Sequence, residues 1–171
     1  KNEVPEFNLR NNWKKIEGLF PNNRPIKFAF VKDLEDPYYN QIIYAPILTY
    51  NVYDGLSPGM RFHNRAILNR PFVYDINPTY SIKSETITGS AIFMVNKDYR
   101  NSNLFNVRYS LSGNYFHYAP DATYLKLNPM VLMQIRGDNF RDNRKRLIYA
   151  RQVIVDRQKS AIVIDNSLED Y

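Results

Sequence analysis

From Phe72 to Lys83 the side chains alternate between two classes. Phe72, Tyr74, Ile76, Pro78, Tyr80 and Ile82 hold one parity, and Val73, Asp75, Asn77, Thr79, Ser81 and Lys83 hold the other. Successive side chains of a β-strand point to opposite faces, so the stretch builds one apolar wall and one polar wall. The alternation extends from Pro71 to Ser84, well beyond the five or six residues usual for a globular strand. A strand that crosses a bilayer at a tilt needs about 9–11 residues. Length and dyad pattern together predict a membrane-spanning strand.

The same texture recurs on both sides. Ile26, Phe28 and Phe30 open a first strand, which Asp33-Leu34-Glu35-Asp36-Pro37 ends. A second runs from Ile42 to Tyr53, with Ile42, Tyr44, Leu48, Tyr50 and Val52 on one parity. Asp54-Gly55 follows, and its tolerance of positive φ predicts a type I′ hairpin turn. The third strand, Leu56 to Ala66, sets Leu56, Met60 and Phe62 against Ser57, Arg61, His63 and Arg65. A fifth covers Ile87 to Asn96. In the sixth, Leu104 to Tyr118, Phe105, Val107, Tyr109 and Leu111 oppose Asn106, Arg108, Ser110 and Ser112. The seventh opposes Leu125, Leu127, Val131, Met133 and Ile135 to Lys126, Asn128, Gln134 and Arg136. The eighth, Leu147 to Arg157, is weaker, because Arg151 shares parity with Leu147, Tyr149, Val153 and Val155. Prolines 46, 58, 78 and 129 stand in the apolar register of these strands, where proline removes a ladder donor.

This series predicts an all-β fold: an antiparallel up-and-down transmembrane β-barrel, with about eight strands here and more in a larger barrel. Residues 1–25 form a polar lead-in, with one short helical turn expected over Trp13–Phe20. Residues 26–157 form the strands, and residues 158–171 a polar loop leading to further strands. On this reading Phe72, Tyr74, Ile76, Tyr80, Ile82, Phe105, Val107, Tyr109 and Leu111 face lipid. Asp75, Asn77, Lys83, Asn106, Arg108, Arg61 and His63 face the lumen.

Composition agrees. Aromatics reach 15%, with 14 Tyr and 10 Phe against Trp13 alone, which suits the interfacial girdles of a barrel. Mean hydropathy is negative, as expected where every lipid-facing residue precedes a lumen-facing one. No run approaches the roughly 18 consecutive apolar residues of a membrane helix. Cysteine is absent, which removes disulfides, thiolate nucleophiles and cysteine–zinc sites. The first residues hold no apolar signal region, so an export signal is expected outside this segment. The net charge of +6 is scattered over strands and loops rather than gathered on a helix or an RNA-binding motif, so nucleic acid is not the expected partner.

The connections alternate in length. Asp33–Gln41, Lys97–Asn103 and Gly137–Arg144 are long, Ile67–Arg70 is intermediate, and Asp54-Gly55, Ser84–Thr86 and Ala119–Ala122 are short. Outer-membrane barrels pair short periplasmic turns with longer outer loops. The expected location is therefore the bacterial outer membrane, with residues 1–25 on the periplasmic side.

Catalytic constellations are missing from the sequence. His63 and His117 lie far apart, neither in a His-Glu-x-x-His helix, and no phosphate loop or nucleophile elbow occurs. Both histidines are expected to line the lumen or the interface. Asp33, Glu35 and Asp36 cluster in a loop as solvated charge. No cofactor is expected in this segment. Arg141, Arg144, Lys145 and Arg146 fall in an outward loop beside the membrane, a candidate contact for the phosphates of lipopolysaccharide. The competing fold is a soluble lipocalin-like barrel or β-sandwich binding module, in which the apolar parity forms the interior.

Several landmarks carry a family resemblance. They are Pro37-Tyr38-Tyr39-Asn40, Ala45-Pro46, the run Tyr50-Asn51-Val52-Tyr53-Asp54-Gly55-Leu56-Ser57-Pro58-Gly59-Met60, His63-Asn64, Phe72-Val73-Tyr74, Pro78, Tyr80, Thr88-Gly89 and Val155-Asp156-Arg157. Together they resemble the C-terminal outer-membrane barrel region of Bacteroidota gluzincin metallopeptidases, over residues 11–157. The general texture is also similar to Omp85-type surface-antigen barrels. The resemblance implies a membrane anchor, with a pore as a second task, for a surface or periplasmic peptidase encoded upstream. It implies outer-membrane lipid, lipopolysaccharide and the barrel assembly machinery as partners. The zinc ligands and catalytic glutamate of that family match no position here. The polar ending Ser167-Leu168-Glu169-Asp170-Tyr171 leads to the expectation of further strands beyond it.

Overall fold

The computed structural model describes residues 24–31, 36, 38–65, 70–99, 102–137 and 144–162. They form one sheet of nine strands, with no helix. In chain order these are β1 (Ile26–Phe30), β2 (Asn40–Asn51), β3 (Gly55–His63), β4 (Phe72–Ser81), β5 (Thr86–Asp98), β6 (Leu104–Ala119), β7 (Ala122–Arg136), β8 (Lys145–Arg151) and β9 (Ile154–Arg157). Spatial order follows chain order from β1 to β8, while β9 pairs with β7. The fold is thus all-β and up-and-down, with β1 and β8 as its two edges, and it does not close within the described residues. The helical turn expected over Trp13–Phe20, and Asp33, Glu35 and Arg141, lie outside the described residues.

One pairing departs from the antiparallel expectation. β1 runs parallel to β2, in register from Ile26 opposite Asn40 to Phe30 opposite Tyr44. The parallel arrangement keeps the apolar parity on one face, where the Phe30 and Tyr44 rings lie 5.4 Å apart. Val31, at φ 57°, ends the strand. Lys27 pairs with Asp36 at 3.0 Å, and Asn40 donates its side-chain amide to the Arg24 carbonyl. Ile26 consequently lies at the end of the sheet that bears the long connections. The expected entry of residues 1–25 from the short-turn end rested on an antiparallel β1, and the parallel pairing removes that basis.

The eighth expected strand forms as two pieces in a single register. Met130 pairs with Arg151 and Leu127 with Ile154, so β8 and β9 continue one line along β7. The interruption faces Pro129, which has no N–H to donate; its carbonyl still accepts from Gln152 N at 3.0 Å. That register also places Leu147 and Tyr149 beside Gln134 and Leu132, on the polar parity of β7. The polar wall therefore turns apolar towards β8.

The Asp54-Gly55 turn forms, but not as type I′. That turn needs positive φ at both central residues, and Asp54 is not in that region. Asn51 instead pairs with Gly55 across the three residues Val52, Tyr53 and Asp54, with Gly55 at φ 70°. A three-residue loop followed by a left-handed glycine carries the strand twist equally well.

Pro78 sits mid-sheet on β4, and glycines on both sides accommodate it. Pro78 pairs with Gly89 of β5, and Gly59 of β3 lies opposite Thr79. A Cβ at Gly59 would come within 2.2 Å of the Pro78 carbonyl oxygen, and one at Gly89 within 2.1 Å of the Asn77 oxygen. Near the long-connection end Asn64 supplements the β3–β4 ladder: its side chain donates to the Phe72 carbonyl and accepts from Tyr74 N.

The distribution of polarity is inverted relative to a soluble domain. Among the described residues the buried hydrophobics are Ile43, Val107, Ala119 and Ala122, against eleven buried polar or charged residues. Large apolar side chains such as Tyr50 and Ile87 are 74% and 69% exposed.

Gly89→Ala adds a backbone clash at a glycine whose φ is +144°, and is expected to destabilise the sheet by about 2–4 kcal/mol. Gly113→Ala meets chiefly the flexible Leu127 side chain and should cost under half as much. Equilibrium denaturation of the two variants checks the ranking.

Candidate functional site

The registers assign the two faces. Even residues of β2, β3 and β4 share a face with odd residues of β5, β6 and β7. This is the apolar, convex face. The opposite parity lines a concavity of about 630 Å³ that includes Thr49, Ser57, Thr79, Thr88, Ser90 and Asn114. The sheet has curled with its polar wall inward.

Small hydroxyls fill the middle of that wall. Ser57 Oγ donates to Ser81 Oγ at 3.1 Å, Ser81 contacts Thr88 at 3.1 Å, and Thr88 contacts Thr79 at 2.9 Å. Asn77 donates to Ser90 beside them. These short side chains allow β3, β4 and β5 to satisfy one another without water.

Towards the long connections the groups become charged. Asp75, 3% exposed, receives two hydrogen bonds from Arg61, at 2.9 and 2.6 Å, and Arg65 approaches at 3.4 Å. A bidentate guanidinium is the geometry that best compensates a buried carboxylate. Arg108 donates to Asn96 and Asn106 to Asp98.

The short-turn end is held by Asp54. Its carboxylate accepts from His117 N at 2.9 Å, His117 Nδ1 at 2.6 Å, Asn51 Nδ2 at 2.9 Å and Ser84 Oγ at 2.9 Å. Asn51 also donates to the His117 carbonyl at 2.7 Å. Burial by itself pushes the Asp54 carboxyl up, but the His117 backbone N–H and the Ser84, His117 and Asn51 side chains outweigh it and hold the pKa below its usual 3.8. β3 and β6 stand three strands apart, about 14 Å in a flat sheet. Contact between Asp54 and His117 therefore requires the curl.

The registers keep together most of the residues expected to share a face. Phe72, Tyr74, Ile76, Tyr80, Tyr109 and Leu111 stand on the convex face, and Asp75, Asn77, Arg61, His63, Asn106 and Arg108 on the concave one. Four positions differ. Ile82 and Lys83 lie beyond the end of β4, in the four-residue turn closed at Glu85 (φ 52°), and Lys83 Nζ reaches the Val52 carbonyl at 2.9 Å. Val107 shares the convex parity but is only 2% exposed. Phe105 occupies a β-bulge, with the Arg136 guanidinium 5.3 Å from its ring centre. Of the basic run, Arg144 precedes β8, while Lys145 and Arg146 open that strand on opposite faces.

Asp54 and His117 are what sequence reading missed. Asp54 reads as a turn residue and His117 as an isolated histidine, and 63 residues separate them. No local pattern connects the two. Among the described residues no three histidine, aspartate or glutamate side chains gather as a metal site. Comparison with protein-family models, curated proteins and solved structures finds no match to this chain.

Asp54→Ala removes four acceptor contacts and leaves buried donors unsatisfied, for an expected loss of about 3 kcal/mol in denaturant unfolding. Because the folded-state pKa is lowered, the carboxylate's contribution is fully present above pH 3.8 and is lost as pH falls through the lower folded value. Asp54→Asn should flatten that acid limb of the stability–pH curve.

Proposed function

We propose that this chain is the strand region of an outer-membrane β-barrel that anchors a larger surface or periplasmic protein in the lipid. The carrying observation is the inverted polarity: a hydrogen-bonded polar concave wall behind an exposed apolar convex face. A contiguous apolar sheet face of this extent is a liability in water and an asset in hydrocarbon. A lipocalin-like module needs its apolar parity buried inside, whereas here Tyr50, Ile87 and other large side chains of that parity stand exposed, which favours the membrane reading.

The convex aromatics support the same reading. Tyr44 and Tyr50 on β2, Tyr74 and Tyr80 on β4, and Tyr109 and Tyr115 on β6 each stand six residues apart. At about 3.3 Å per residue each pair spans about 20 Å of strand. Between them lie Pro46 and Leu48, Ile76 and Pro78, and Leu111 and Gly113. Tyrosines bracketing an apolar band suit the two interfaces of a membrane. In lipid the β1 and β8 edges need strand partners, since unpaired backbone groups cost several kcal/mol each there. Closure of the barrel supplies them.

The test is partitioning of the full chain into lipid vesicles, read by flotation. Leu111→Arg places a charge within the apolar band of the convex face and should weaken insertion by about 2–4 kcal/mol, whereas Ser112→Arg on the concave face should insert nearly as the parent does. Equal effects of the two, or a parent chain that stays in the aqueous fraction, would overturn the membrane reading.

A further inference from the structure

We infer that the concave wall selects anions, forming one side of a conduit for small anionic solutes such as chloride, phosphate or short carboxylates. The inference rests on the barrel reading above. Its basis is an imbalance of charge between the two faces. At the strand positions of the concave face the only carboxylates are Asp75 and Asp98. Asp75 is paired with Arg61 and Arg65, while Asp98, at the long-connection end of the wall, accepts from the neutral Asn106 and keeps its charge. Convex strand positions are close to balanced, with Lys97, Arg146 and Asp156.

Eight lysines and arginines occupy concave strand positions against those two carboxylates, and Arg108, Lys126 and Arg151 are three of the cations without a carboxylate partner. Arg108 donates to the neutral Asn96, Arg151 to the neutral Asn128, and Lys126 stands opposite Asn114 and Val155. None of the three has a carboxylate within ion-pairing distance among the described residues. Neutral amides can hold a guanidinium in place, but they leave its charge uncompensated. Arg108 lies opposite Leu132 and Arg151 opposite Met130, so they flank β7 on adjacent rungs. Strand geometry puts them about 12 Å apart, close to the Debye length of about 10 Å at 0.1 M salt. Their fields therefore overlap, and low-dielectric barrel walls focus that field into the lumen. Ser110, Ser112 and Asn128 supply neutral hydrogen-bonding groups between them, which lets an anion pass without a carboxylate to repel it. Rings of arginine and lysine confer anion selectivity on pores in this way.

The experiment reconstitutes the full chain into planar bilayers under a potassium chloride gradient, with insertion scored separately by flotation. The expected result is a reversal potential of the sign set by chloride. The combined Arg108→Gln, Lys126→Gln and Arg151→Gln variant should lower the chloride-to-potassium permeability ratio about threefold. Lys97→Gln, which removes a cation from the convex face, should leave the ratio unchanged. Inserted protein that passes potassium preferentially, shows no selectivity, or passes no current would overturn the inference while leaving the anchor reading intact. Failure to insert would overturn both.

Discussion

Curling a sheet so that its polar face points inward exchanges water for a fixed set of partners, and the groups on that face are then satisfied chiefly by one another. Asp54 is where this constraint is tightest. One carboxylate accepts from three segments at once: the β2–β3 turn through Asn51, the β4–β5 turn through Ser84, and the end of β6 through His117. Those segments are neighbours only in a curled sheet. Above this clamp the hydroxyls of Ser57, Ser81, Thr88 and Thr79 satisfy one another, and Arg61 compensates Asp75. Loss of any one would leave a desolvated polar group, which is more damaging than a lost surface contact.

The backbone carries the matching accommodation. Proline is expected at edges and bulges, yet Pro78 lies between two strands of the sheet interior. Gly59 and Gly89 make that possible by removing the Cβ atoms that would strike the backbone beside it. At Pro129 no such relief is present, and the neighbouring strand divides into β8 and β9 without changing register. The same residue type is thus absorbed at one position and breaks a strand at the other, according to what faces it.

The side-chain parity was legible because it is local. A period of two needs only adjacent residues, so the walls of β4 and the middle of β6 follow directly from Phe72–Ser81 and Val107–Ser112. Strand ends were less legible. Ile82 and Lys83 continue the alternation into a turn, since a repeating pattern does not mark where pairing stops. The direction of β1 was not legible at all, because an apolar parity of Ile26, Phe28 and Phe30 is the same whether the strand runs up or down beside β2. The face taken by Leu147 and Tyr149 depends on register with β7, which the alternation within β8 does not contain.

The amino-acid order by itself determined that this chain makes long two-faced strands with short and long connections, because strand periodicity and turn chemistry act over a few residues. Strand length and the polar opposite wall lead to the expectation of an outward apolar face, although alternation alone is also compatible with a soluble barrel. The tertiary structure decided how far the sheet curls and that the polar parity lines its hollow. The curl is fixed by contacts between residues up to 66 positions apart, chiefly Asn51 and Asp54 with His117. Such contacts depend on how many strands intervene and how strongly they twist, and neither quantity is written in any local stretch of the chain.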